Sequence, residues 1–232
     1  MGRSLRPVGD GLIYHAINRG NNRQAVFFED ADYRAFLAAL GQTQLRYPFR
    51  LFGYCLMTNH FHLLLQPEAG QSISRILQSV TVAHTWRYHR THASLGHVWQ
   101  GRFKSPVIQD DAHSLVVLRY IECNPLRAGM VTNLSDYPWS SYAAHGLGRA
   151  DTLLTDLPYW SERDRTESAR QASWRKWVRT PVNDKELQAI RKAVSTGRPF
   201  GTADWTQTIS AKLGIPLVRR PRGRPRKERN MN

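Results

Sequence analysis

Phe49-Arg50-Leu51-Phe52-Gly53-Tyr54-Cys55-Leu56-Met57-Thr58-Asn59-His60-Phe61-His62-Leu63-Leu64-Leu65-Gln66 reads as two strands, Phe49 to Met57 and His60 to Gln66. A tight Thr58-Asn59 turn joins them into a hairpin. Side chains alternate along a strand, so His60 and His62 share one face while Phe61 points to the other. Upstream, Gly11 to Asn18 alternates well enough to be a strand, closed by the turn-like Arg19-Gly20-Asn21-Asn22. Asp30 can cap a helix to about Tyr47, with Tyr33, Phe36, Leu37, Leu40 and Leu45 as its apolar stripe and Pro48 as its stop. Downstream, Ser72 caps a second helix reaching about His92, with Ile73, Ile76, Leu77, Val80 and Ala83 facing inward. Val98 to Gln109 reads as a basic strand or hairpin, and Asp111 opens a third helix through Val116, Val117, Tyr120 and Ile121.

The order strand-helix-strand-strand-helix-strand-helix predicts an α+β fold of the ferredoxin-like, split βαβ kind, with an antiparallel sheet and helices on one face. That unit is expected to span residues 1–145. Beyond it the periodicity weakens. Helices are expected at Asp184 to Ser195 and Ala203 to Leu213 within an extension over 146–218, with no second core evident. Residues 219–232, with Arg219-Arg220-Pro221-Arg222-Gly223-Arg224-Pro225-Arg226-Lys227, are too charged to bury a core and read as a disordered basic tail.

The chain has 232 residues and a formal net charge of +15, which favours a polyanionic partner, nucleic acid or an anionic membrane surface. No stretch approaches the roughly 20 apolar residues of a spanning helix. The N-terminal Met1-Gly2-Arg3-Ser4-Leu5-Arg6-Pro7 lacks the apolar run of a secretory signal. Membrane is thereby demoted and nucleic acid promoted. The two cysteines, Cys55 and Cys123, are far apart, which suits buried, reduced thiols and a cytoplasmic setting.

Two neutral imidazoles on one face can chelate a divalent ion, although a pair of half-buried histidines satisfied by carbonyls fits the same pattern. Tyr120 sits on an amphipathic helix, where a core or rim role is the ordinary reading. A tyrosine is a poor nucleophile, with a pKa of about 10, and needs help from a base or a metal. Asn124 lies one turn on, on the same face, and Asn124-Pro125 equally suits a helix N-cap followed by proline at the first position. Glu122 points to another face. In the segment His97-Val98-Trp99-Gln100-Gly101-Arg102-Phe103-Lys104, Trp99 could stack on unpaired bases while Arg102 and Lys104 hold phosphates, or the aromatics could belong to the core. Arg222-Gly223-Arg224-Pro225 is the core of an AT-hook, suited to a narrow minor groove, or part of a nonspecific basic tail.

His60-Phe61-His62, Gly96-His97-Val98-Trp99-Gln100-Gly101-Arg102-Phe103 and Tyr120-Ile121-Glu122-Cys123-Asn124-Pro125-Leu126-Arg127-Ala128-Gly129, in that order, resemble the REP-associated tyrosine transposases of the single-tyrosine HUH group. Tyr14-His15 through Asn18-Arg19-Gly20 and Tyr137-Pro138-Trp139-Ser140-Ser141-Tyr142 are also similar to that family. The resemblance implies a ferredoxin-like nuclease domain, a divalent ion (Mg or Mn) held by His60 and His62, and Tyr120 as nucleophile. It also implies a third ligand one turn beyond the tyrosine, a place filled here by Asn124. Its expected partner is single-stranded or hairpin DNA of palindromic, REP-like repeats, held by Arg19, Trp99, Arg102, Lys104 and the arginine tail. The expected chemistry is cleavage and rejoining through a 5′-phosphotyrosine. The rivals are a hydrolytic metal nuclease, which activates water and leaves no adduct, and a non-catalytic hairpin binder indifferent to metal. A monomer is the simpler expectation.

Overall fold

The computed structural model describes residues 9–216 apart from Asp111. The helix-opening role expected of Asp111 and the Arg222-Gly223-Arg224-Pro225 motif therefore lie outside the described residues. The elements run β1 (Ile13–Arg19), α1 (Asp30–Arg46), β2 (Phe49–Met57), β3 (His60–Pro67), α2 (Ile73–His92), β4 (Val107–Ile108) and α3 (Ala112–Glu122). They are followed by α4 (Asn124–Arg127), α5 (Tyr142–Leu147), α6 (Glu167–Arg179), α7 (Asp184–Thr196) and α8 (Ala203–Lys212). The sheet order is β2-β3-β1-β4, every neighbouring pair antiparallel, which is the split βαβ arrangement that the sequence predicts.

α2 is capped by Ser72 as the sequence predicts, whereas α1 is capped one residue earlier than expected, by Glu29 rather than Asp30, which is its first helical residue. Ser72 Oγ accepts the Ser74 N–H at 3.2 Å to open α2. Glu29 and Asp32 form a reciprocal capping box at the head of α1. Phe61, Leu63 and Leu65 of β3 and Tyr14 and Ala16 of β1 pack with Phe36 and Leu40 of α1 and with Ile76, Leu77 and Val80 of α2.

The helices do not all share one face. α1 and α2 do, but α3 covers the opposite side, where Ile13 and Leu64 meet Leu118 and Ile121. The reason is in β3, whose residues are buried on both faces apart from the two half-buried positions His60 and Gln66. A strand apolar on both sides needs two layers of cover. α3 rests directly on the sheet at Gly53, beside a register shift in β2. A Cβ on that glycine would clash with Leu118 Cδ1 and crowd Ser141 Oγ.

The strand expected over Val98 to Gln109 is broken. Its backbone follows β1, with Ile17 N and Lys104 O, and Lys104 N and Ile17 O, each 2.8 Å apart, and Asn21 N donating to Val98 O at 2.8 Å. Only Val107 and Ile108 form a regular ladder. Gly101, at φ 139°, kinks the segment, and Pro106 has no N–H to donate.

The extension has a core that sequence periodicity does not reveal. Trp160, Trp174, Val178 and Ile190 are buried in the same cluster as α3. The carboxylate of Glu122, fully buried, ties it together: Oε1 accepts from Ser141 Oγ and His145 Nδ1, each at 2.6 Å, and Oε2 accepts from Trp174 Nε1 at 2.8 Å. α7 and α8 fall where the sequence places them, and Phe200, between them, pairs with the β4 edge. Cys55 and Cys123 are both buried and free. Among the described residues no helix is long and apolar enough to cross a membrane.

Candidate active site

Register gathers the site's side chains. Directly opposed residues in an antiparallel pair share a face. β1 sets Arg19 against His60, Ile17 against His62 and His15 against Leu64. Arg19, Ile17, His15, His60 and His62 therefore line the α3 side of the sheet.

The two histidines are fixed through their Nδ1 atoms. Asn59 Nδ2 donates to Arg23 O at 3.1 Å, so its Oδ1 is the atom facing His60 Nδ1, 2.6 Å away. An amide oxygen only accepts, so His60 carries its proton on Nδ1 and keeps a lone pair on Nε2. His62 Nδ1 lies 2.9 Å from His15 Nε2. Burial pushes all three imidazoles down, His15 to about 3 and His60 to about 4, with His62 well below its ordinary value. Arginine charges add to this, from Arg127 at His15 and from Arg19 at His60. At neutral pH each ring is uncharged, the form that binds a metal.

Tyr120 is 9% exposed, with its ring edge-on to His62 at 5.9 Å and to His15 at 5.8 Å between centroids. α3 ends two residues later. Asn124 starts the short α4 and turns its Nδ2 back onto Tyr120 O (3.1 Å) and Ile121 O (3.0 Å), so its Oδ1 is the atom left to act as a ligand. Asn124 lies one turn from Tyr120, as expected, but it is not the N-cap that the sequence suggests: Cys123 is the cap, and Asn124 is the first residue of α4 with its side chain turned back onto α3. Arg127 stacks its guanidinium 4.3 Å over the Tyr120 ring and donates from Nη2 to Tyr120 O at 2.5 Å. Its Nη1 is buried with no hydrogen-bond partner.

Arg19, His60, His62, Tyr120, Asn124 and Arg127 line one open cavity of about 360 Å³. Among the described residues no three His, Cys, Asp or Glu side chains are arranged to hold a metal. A divalent ion would thus rest on two imidazole nitrogens and neutral oxygen, leaving coordination positions open. Two neutral imidazoles with Nδ1 engaged elsewhere and an amide oxygen fit such an ion.

Of the other sequence candidates, Trp99 lies on the opposite side of the sheet, against Phe61 and His84, with its Nε1 donating to Thr85 Oγ1 at 3.1 Å. It has the packing role rather than a place at the cavity. Arg102 is exposed on the kinked edge, and Lys104, bridged to Ile17, is on the site's face; neither lines the cavity. Glu122 is turned away into the extension's core. His15 and Arg127 are additions that motif reading alone does not single out. The signal for His15 is parity: it shares the face of Ile13 and Ile17, but only the β1–β3 register shows which face of β3 that is.

The family profile described as IS200-like transposase matches residues 10–124. A Haemophilus influenzae protein assigned to the REP-associated tyrosine transposases is 30% identical over 117 residues, covering 46% of this chain and 66% of that protein, just under two thirds of its length. The Escherichia coli REP-associated tyrosine transposase is 24% identical over 137 residues, covering 58% of this chain and 78% of its own. A solved structure of a REP-associated tyrosine transposase bound to a REP hairpin superposes with a TM-score of 0.53 at 20% identity, covering 68% of this chain and 96% of that one. The likeness to that structure is one of fold. The profile runs from just before β1 to Asn124, through the paired histidines and Tyr120, so over that stretch the chain is similar to the IS200-like transposases, and the two curated proteins it resembles are REP-associated tyrosine transposases.

Proposed function

We propose that the protein cuts and rejoins single-stranded DNA at palindromic repeat hairpins through a covalent 5′-phosphotyrosine. The observation that carries this is the convergence of Tyr120, His60, His62 and Arg127 on one cavity, with the Nδ1 atoms of both histidines engaged elsewhere. Hairpin DNA as partner follows from the relatives' names, from the solved relative that holds a REP hairpin, and from the charge of +15.

The Tyr120 oxygen attacks phosphorus in line with the 3′ oxygen and loses its proton. The P–O3′ bond breaks, the 3′ oxygen leaves and takes up a proton, and the 5′ phosphate stays on Tyr120. One phosphodiester replaces another, so a second 3′-OH reverses the step without a nucleotide cofactor. His60, His62 and Asn124 would hold a divalent ion such as Mg or Mn, which would supply Lewis-acid polarisation of the phosphate. Arg127 holds the Tyr120 ring and offers a desolvated cation to the same phosphate. Asn124 pins the C-terminal end of α3, so the ring is aimed by packing before substrate arrives. His15 holds His62 through Nδ1 and keeps its Nε2 turned outward. The unit over 1–145 is the catalytic part, the 146–218 segment a helical addition to it, and the residues after 218 a basic tail. Arg19, Arg102 and Lys104 are the proposed backbone contacts beside the cavity.

The test is incubation with labelled single-stranded hairpins carrying a flanking single strand, with manganese or magnesium. A denaturation-resistant protein–DNA adduct is expected. Tyr120→Phe abolishes it while hairpin binding persists, and His60→Ala removes metal-dependent cleavage. An adduct that survives in Y120F reassigns the nucleophile, and cleavage without any adduct favours a hydrolytic nuclease.

A further inference from the structure

The cavity at Tyr120 has one wall that does not come from the family's matched residues. Arg191 and Val194 of α7 line it, far beyond the end of the match at Asn124. We propose that the C-terminal extension completes the active site, with Arg191 joining Arg127 and Arg19 as a three-guanidinium seat for a phosphodiester of the substrate strand. This rests on the proposed single-strand chemistry and names what the extension adds to it.

Three observations carry the assignment. The first is charge. Three arginines line the cavity and no acidic residue does. The Arg191 charge bears on Arg127 unfavourably, adding to the burial that already pushes that guanidinium down. Arg127 Nη1 is buried without a partner. Like charges gathered around an uncompensated donor are stabilised by an anion, and a guanidinium fork suits phosphate oxygens.

The second is placement. On α7, Ile190 is buried, and Leu187 and Val194 pack against the same core as α3. Arg191 is one turn from both Leu187 and Val194, so it emerges at the border of that apolar stripe, where the cavity opens. Its side chain is exposed and free to meet a strand.

The third is anchoring. Phe200, just after α7, donates from its N–H to Val107 O at 2.8 Å and accepts from Gln109 N at 2.9 Å, and Thr202 N donates to Gln109 Oε1 at 2.8 Å. At the other end, Cys123 Sγ donates to Val178 O and Trp174 Nε1 to Glu122. The helix that carries Arg191 is thus fastened on one side to the β4 edge of the sheet and on the other, through α6, to the end of α3 that carries Tyr120.

The seat is read by equilibrium binding without chemistry, in the Tyr120→Phe background with EDTA, using a single-stranded oligonucleotide that crosses the cleavage point. Arg191→Gln is expected to lower affinity on the order of tenfold. It should also flatten the slope of log affinity against log salt by about 0.7, one single-strand phosphate contact. Arg191→Lys should recover part of the affinity. Lys192→Gln, the same charge change on the exposed neighbour, should leave the slope unchanged. In the Tyr120-intact protein, Arg191→Gln should lower adduct yield with an unaltered melting temperature. Unchanged affinity and slope in R191Q, or an equal loss in K192Q, overturns the proposal. If the Tyr120-intact protein forms no adduct while R191Q still weakens binding, the seat stands and the phosphotyrosine reading falls.

Discussion

At the scale of single residues, the arrangement of imidazoles matters more than their number. His60 and His62 are each oriented through Nδ1, one by a side-chain amide and one by a third histidine. For His62 to offer Nε2 to a cation, its proton must sit on Nδ1 and be donated to His15 Nε2. That leaves the His15 proton on Nδ1, a buried atom without a partner. Replacing His15 with Phe keeps the ring volume and removes the acceptor. His15→Phe should weaken Mn binding by about 10–100-fold, the usual consequence of losing such an orienting partner, as measured by titration calorimetry. Unaltered affinity would show that His62 is held by packing alone. The sequence makes His60 and His62 visible because they share one strand. His15 is obscured because its place depends on how two non-consecutive strands align. Arg127 is obscured because only folding of the Asn124-Pro125 turn brings its guanidinium back over Tyr120.

At the scale of elements, the hairpin, α1 and α2 are legible because periodicity and end signals agree there to within a residue. Leu45 and Ala83, expected on the inward faces, are nevertheless exposed near the ends of the apolar stripes, and the cap of α1 is Glu29 rather than Asp30. α6 is not legible, because its buried anchors are Trp174 and Val178, among arginines, a lysine and small polar residues that give no apolar stripe. It is held instead by a polar contact of long sequence separation, Trp174 to Glu122. Glu122→Gln leaves an amide nitrogen or a single carbonyl oxygen facing three donors. It should cost roughly 2–4 kcal/mol in urea denaturation. Because Glu122 closes α3 onto α5 and α6, limited proteolysis of E122Q should release the extension before the sheet domain is cut. Simultaneous digestion of both parts would mean that the apolar contacts of Trp160 and Trp174 suffice to hold them. The broken edge strand after Val98 is an element of the opposite kind. Its alternation is readable, but Gly101 and Pro106 interrupt the ladder that alternation suggests.

At the scale of the whole molecule, the fold buries imidazoles on both sides of one sheet. His15 and His60 lie on the α3 side. His84 lies on the α2 side, among Phe27, Phe36, Tyr88 and Trp99, and is lowered to about 4, chiefly by burial. Each folded-state value is below the ordinary 6.5. Between 6.5 and about 4 the unfolded chain therefore takes up protons that the folded chain refuses. Stability should be flat with respect to these groups above about pH 7 and fall as pH drops through that window. His84→Gln can keep the donor to Val26 O while removing one titrating ring, so its urea midpoint should fall less steeply between pH 6.5 and 4. An equally steep fall would exclude His84 as a source of the acid sensitivity.

Gly53 gives the layering a consequence for chemistry. α3 lies against β2 at the one position without a Cβ, and the same helix carries Tyr120 over the sheet face where His60 and His62 stand. The height of Tyr120 above His60 and His62 is thus set by a hydrogen atom on a residue that touches none of them. A methyl group there would lift the helix by about the 1 Å that, in positioned catalysis, costs on the order of a hundredfold in rate. The spacing between Tyr120 and the paired histidines is in this sense gauged from beneath the helix, by how thin the sheet is allowed to be.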